Sequence, residues 1–299
     1  MTATDEGAWP KGALAGTLLV AAAASLWATF GLFARKLYEA GFSPIELASV
    51  RAFVAFVIVL PLALVTRTRL RAPPRTAALL LIFGIGFAVF ELIYLMAIEA
   101  APVSIAAALL YTAPVFVVGI AHITLREPVQ ARHLKALVGV LLGVFLVTGM
   151  ARTLAVSGPS VTGRGVVLGL AAGFSYGVYT VLGKAAMNRT EPLPALVWSL
   201  GAAALLLMIF APPIALFFRD ASSVPWLIAI GVVPTLVPYI LFLYALRYIR
   251  AGTASMVASI EPVVATVLAV LLLGEIMHIE QIAGVLLIVA AGAVNGRYR

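Results

Sequence analysis

Ten apolar runs, each about as long as a helix that crosses a bilayer, take up most of this chain. They fall at residues 12–33, 44–65, 76–98, 102–124, 132–149, 164–184, 193–217, 224–246, 252–273 and 278–296. A crossing helix needs about 20 residues. Hydrocarbon offers no water to free backbone groups, so segments of this kind must satisfy them internally and become helices. The connections left over are too short for a separate soluble domain. Composition agrees, with 63% apolar and 11% charged residues against roughly 45–50% and 25% in soluble domains. The expected fold is an all-α membrane protein of ten transmembrane helices. At 22 residues the first run exceeds the roughly 7–15 apolar residues of a signal peptide, and it is read as a retained helix.

The formal charge of +8 lies in the connections, where it faces anionic headgroups and sets orientation; nucleic acid is not the expected partner. Fourteen basic residues belong to the termini and to the loops after spans 2, 4, 6 and 8: Lys11, Arg67, Arg69, Arg71, Arg75, Arg126, Arg132, Lys135, Lys184, Arg189, Arg247, Arg250, Arg297 and Arg299. The opposite loops carry five: Arg35, Lys36, Arg152, Arg164 and Arg219. Lys and Arg favour the cytoplasmic side, which predicts cytoplasmic termini. The chain has no cysteine, and His122, His133 and His278 stand far apart. No disulfide, metal site or cofactor is expected.

The chain also repeats itself. A shift of 148 residues sets Ala97 on Ala245, Ala106 on Ala254, Pro114 on Pro262, Val115 on Val263, Leu125 on Leu273 and Glu127 on Glu275. A shift of 149 sets Trp27 on Tyr176, Phe30 on Tyr179 and Arg35 on Lys184. The predicted units are residues 12–149 and 164–296, five helices each. Because five is odd, the second unit enters the membrane from the other side, giving inverted repeats suited to alternating access.

Several stretches resemble the EamA-like branch of the drug/metabolite transporter superfamily. They are Leu109-Leu110-Tyr111-Thr112-Ala113-Pro114-Val115-Phe116-Val117, Ile260-Glu261-Pro262-Val263 running into Leu273-Gly274-Glu275, Arg51, and Phe174-Ser175-Tyr176-Gly177 with Lys184. The first half departs at Arg126-Glu127-Pro128, where Arg126 replaces the usual glycine before the acid. The resemblance implies a ten-helix secondary carrier of small metabolites with a central cavity, in the inner membrane. Family cargoes include amino acids, amines, nucleotide-linked sugars and choline. An exporter of an amino acid or similar zwitterion, coupled to protons, is the first expectation. An importer of a small organic cation such as choline is the alternative.

Three charged residues lie deep within spans, well away from their ends. Glu261 is near the middle of span 9, where an acid is costly and marks function by default. It is read either as a coupling acid or as a structural lock on backbone freed by Pro262. Arg51 and Glu91 lie at one depth, each seven residues from the same boundary, and predict a buried pair that is either structural or a gate. Pro114 and Pro262 interrupt matching helices, a pointer to a midplane site and equally the cause of a plain kink. Trp27, Phe90, Tyr94, Tyr111, Tyr176, Tyr179, Trp198, Tyr239 and Tyr244 share similar depths and are candidates to line a cavity or to cage an ammonium. Trp9 and Trp226 read as interfacial anchors. Glycines four apart (Gly12/Gly16, Gly139/Gly143, Gly165/Gly169/Gly173, Gly292/Gly296) predict close helix packing, with a dimer face as the other use, so monomer and homodimer both stay open. Gly173-Phe174-Ser175-Tyr176-Gly177 fits the G-x-S-x-G pattern of hydrolases. No histidine is expected at the depth of Ser175, so that residue is read as a small contact and no enzyme is expected.

Overall fold

The structure is a computed structural model that describes residues 12–129, 131–157, 162–274 and 276–296. Expectations resting on Trp9, Lys11, Glu275, Arg297 and Arg299 lie outside these residues. So do the side chains of Arg132, His133 and Leu273, and the packing of Gly292 and Gly296.

Every described element is helical. Span 1 is α1 (Ala13–Trp27) followed by α2 (Phe30–Glu39); α3 is Pro44–Val65 and α4 is Pro74–Ala100. Span 4 is α5 (Val103–Leu110) and α6 (Ala113–Leu125), followed by α7 (Ala131–Val147) and the short α8 (Met150–Ser157). In the second half α9 is Gly163–Met187, α10 is Pro192–Leu207, and α11 is a turn at Pro213–Leu216. Span 8 joins α12 (Val224–Gly231) to α13 (Val237–Tyr248) through a π-helical turn, Val232–Leu236. Span 9 is α14 (Ala251–Ala258) and α15 (Glu261–Leu273), and α16 is Ile279–Gly296. Seven of the described runs are long and apolar enough to cross a membrane, and shorter apolar helices stand where spans 5, 7 and 10 are predicted. This is an all-α membrane protein.

Local chemistry sets the ends. Ser43 and Glu46 form a reciprocal capping box ahead of α3, with Pro44 in the first turn, where its missing N–H costs nothing. The two proline-marked helices break at matching points. Tyr111-Thr112 separates α5 from α6 and Ser259-Ile260 separates α14 from α15, and the prolines sit just beyond, in the first turn of the outgoing helix. The replaced glycine at residue 126 leaves the cap intact. Arg126 itself adopts the left-handed conformation at φ 57°, and Gly274 does so at φ 70° in the other half. Glu127 N–H then closes the turn on Ala121 C=O.

Helix pairings are preserved when each span is exchanged for the one five places along the chain. α4 packs along α9 as α1 packs along α13, α10 meets α4 as α12 meets α3, and α5–α6 flank α9 as α14–α15 flank α1. α7 pairs with α16. The glycine stripes explain several of these close approaches. Any Cβ on Gly173 would sit about 3 Å from Thr112 Oγ1 and the Leu109 and Leu110 carbonyls, at the α5–α6 break. Gly143 faces Gly284 and Ile288 inside the chain, and Gly12 and Gly16 face Tyr248 and Ile249. At these positions the small residues serve packing within one chain.

Candidate functional site

The breaks and pairings bring the intramembrane charges to one place. Arg51 on α3 donates through Nη1 to both carboxylate oxygens of Glu91 on α4, at 3.3 Å each. The two side chains are only 8% and 9% exposed, and a pair this buried needs its other valences met. Arg51 Nε donates to Thr235 Oγ1 at 3.0 Å, and the Thr235 hydroxyl donates onward to Ile230 C=O. The guanidinium also lies over the Phe30 ring, 4.8 Å from its centroid. Thr235 reaches this position because the π turn re-aims it. Pro238 has no N–H to give to the carbonyl four residues back, and a widened turn absorbs the gap.

Beside the pair lies a connected aromatic cluster. Tyr179 stacks on Phe83 at 5.1 Å and meets Phe87 and Tyr239 at 5.7 and 6.1 Å. Trp27, at the end of α1, packs on Tyr239 and Phe242. Phe90 joins Tyr94, Tyr176 and Tyr179. Glu261, the first residue of α15, faces the Tyr111 hydroxyl across the two helix breaks, with Tyr94 and Tyr176 in its electrostatic neighbourhood. Among the described residues its carboxylate accepts no backbone hydrogen bond. Thr266 Oγ1 donates to Pro262 C=O at 2.8 Å, a side-chain bond back to the preceding turn of α15. Three buried polar atoms in or beside the cluster have no hydrogen-bond partner among the described residues: Trp27 Nε1, Tyr179 Oη and Thr180 Oγ1.

Seven of the nine aromatic candidates therefore meet around Glu261 and Arg51–Glu91: Trp27, Phe90, Tyr94, Tyr111, Tyr176, Tyr179 and Tyr239. Two do not. Tyr244 is 41% exposed on the outer side of α13. Trp198 sits toward one end of the bundle and donates Nε1–H to Leu70 C=O in the α3–α4 loop at 2.9 Å. Sequence reasoning overlooked Phe83 and Phe87, although Phe83, Phe87, Phe90 and Tyr94 follow one face of α4 at helical spacing. It also overlooked Phe30, Phe242 and Thr235. No pattern announced Thr235, because only the π turn turns it inward.

Ser175 is buried and donates to Ala172 C=O at 3.0 Å, while His122 is tied to Glu127 C=O at the end of α6 and His278 contacts Arg152. Neither described histidine side chain is placed as a base for Ser175. No cluster of three or more His, Asp or Glu suited to a metal occurs among the described residues.

The model of the EamA-like transporter family matches this chain twice, at residues 14–149 and 163–296. The chain belongs to the EamA-like transporter family. An uncharacterized transporter of Archaeoglobus fulgidus is 30% identical over 286 residues, covering 94% of this chain and 96% of that protein. The threonine/homoserine exporter RhtA of Salmonella typhimurium is 30% identical over 227 residues, covering 75% and 72%. A solved crystal structure superposes with a TM-score of 0.76 at 20% identity, over 93% of this chain and 95% of that one, which shows a shared fold. As a member of this family the chain is an integral membrane transporter of small molecules. The family and these relatives point to transport and away from catalysis.

Proposed function

We propose that this transporter exports an amino acid or related zwitterion by alternating access, with proton exchange at Glu261. The observation that carries the proposal is the composition of the centre: one guanidinium and two carboxylates in an aromatic shell that still holds unpartnered donors. An amino acid brings one carboxylate and one ammonium. Its carboxylate competes with Glu91 for Arg51, and its ammonium meets the acid so released or Glu261, which keeps every charge paired inside the membrane. The matching helix breaks at Tyr111-Thr112 and Ser259-Ile260 let the two halves rearrange around that point. The halves, residues 12–149 and 164–296, act as inverted repeats in the inner membrane with both termini cytoplasmic, and one chain supplies the whole site. The relatives named threonine/homoserine exporters carry cargo of the same class.

Two measurements test this. Threonine or homoserine should raise the melting temperature of the purified protein, by the equivalent of about 2.7 kcal/mol at one hundred times Kd. Choline should leave it unchanged. In proteoliposomes, Glu261→Gln should abolish pH-driven transport while sparing exchange of bound cargo. Retained pH-driven transport in that variant removes Glu261 from the mechanism.

A further inference from the structure

Four helices that frame the aromatic cluster also frame a second space at the end of the bundle that carries most of the basic loops. A narrow cleft lined by Phe83, Phe87, Tyr179, Ser199, Tyr239 and Leu243 runs between α4, α9, α10 and α13. Its free volume of about 10 Å³ matches about one water. The same helices, extended to their ends, enclose an open pocket of about 520 Å³. Thr76 is seven residues before Phe83 on α4, and Arg247 is four residues after Leu243 on α13. At 1.5 Å per residue the pocket therefore lies roughly 6–10 Å beyond the cleft along the helix axes.

The pocket is strongly one-signed. Arg69, Arg71, Arg189 and Arg247 line it, and Glu191 is its acid. Glu191 is paired with Arg247. The other three arginines have no carboxylate within ion-pair distance among the described residues. The α3–α4 loop that carries Arg69 and Arg71 is held in shape by the Trp198–Leu70 bond and by Arg67 in a left-handed turn at φ 53°. The N-terminus of α4 opens on the pocket and adds positive potential. A concave surface of one sign concentrates counter-charged solutes.

We propose that this pocket is the cargo mouth on the basic side: it gathers the carboxylate end of the solute and passes it between α4, α9, α10 and α13 to the aromatic cluster. The inference rests on the amino-acid reading above and sharpens it, because a quaternary ammonium approaching by the same route meets three uncompensated positive charges.

The test requires no knowledge of the cargo. The chain has no cysteine, so single thiols at Thr76→Cys on the rim and Ser199→Cys in the cleft report these places alone, with Leu200→Cys as a second cleft position. Modification rates are measured in neutral-lipid nanodiscs with a sulfonatoethyl and a trimethylammonioethyl methanethiosulfonate, each normalised to its rate on a free thiol. Three charges about 10 Å away give roughly tenfold preference for the sulfonate at 10 mM salt and none at 1 M. Arg69→Gln/Arg71→Gln/Arg189→Gln should abolish the preference at rim and cleft alike. Equal rates at the rim, a cleft preference that survives the triple substitution, or unreactive cleft thiols beside a reactive rim would each overturn the mouth. An intact preference without threonine binding sinks the cargo class alone, whereas threonine transport without the preference sinks the mouth alone.

Discussion

Removing one member of the Arg51–Glu91 pair should cost far more than removing both. At 3.3 Å the gross attraction is about 5 kcal/mol for an effective dielectric constant near 20. Both groups give up most of their hydration to make it, so the net value of the pair is much smaller. Arg51→Met leaves Glu91 buried beside apolar rings without its cation and also strips Thr235 of its donor. The expected loss is about 3–5 kcal/mol, or a drop of roughly 6–10 °C in melting temperature at about 2 °C per kcal/mol. Arg51→Met/Glu91→Leu removes both charges and should recover most of that loss, giving a coupling energy of about 3 kcal/mol or more by double-mutant cycle. The double variant should nevertheless be inactive in proteoliposomes, since the site has lost its guanidinium. The assay is thermal unfolding of purified protein in one detergent, with transport measured in parallel. Additive losses, or a single variant within 1 kcal/mol of the parent, would refute the pairing argument. A fully active double variant would show that the pair is structural only.

Gly84→Ala should prevent stable folding, because its Cβ would sit 2.8 Å from the Ser199 carbonyl carbon on α10. Gly119→Ala, with nothing within 4 Å, should be neutral or slightly stabilising, and expression with gel-filtration profile separates the two. Arg126→Gly should raise stability by about 1 kcal/mol, since a β-carbon is strained at φ 57°; an unchanged melting temperature would argue against that strain. Asp220 caps the turn at Ala221–Ser223, and hydrogen bonds from Ser223 and Ser222 hold its carboxyl below the usual carboxylate range. The cap therefore contributes above the ordinary carboxylate pKa and is lost as pH falls through the depressed one, so protection of the Ser222 amide should persist at pH 5 and disappear only in stronger acid.

Features that depend on position along a helix were legible in the sequence. The shared depth of Arg51 and Glu91 and the breaks near Pro114 and Pro262 both follow from counting residues. Features that depend on rotation about a helix axis were not. Tyr244 follows Tyr239 by five residues, about 140° around α13, so the two cannot both face the centre, and nothing local says which one does. Trp198 turns away from the cluster and pins the α3–α4 loop. The break at Ala28-Thr29 has no proline to announce it. The sequence predicts an unbroken helix there, whereas Trp27 ends α1 against Tyr239 and Phe242, a tertiary contact that overrides local propensity.

The internal repeat is informative where it fails. The helix pairings are the same in the two halves, but the charges are not duplicated: the 148-residue shift sets Ser199 on Arg51, Tyr239 on Glu91 and Ala113 on Glu261. A scaffold that exchanges its halves needs equivalent contacts on both sides, so its packing residues recur. A binding site at the centre is used by both conformations and needs only one copy of each charge, because a second guanidinium or acid at the matching position would stand buried without a partner. Arg51, Glu91 and Glu261 are intramembrane charges whose repeat-mates are neutral, as the proposed roles in cargo binding and coupling require.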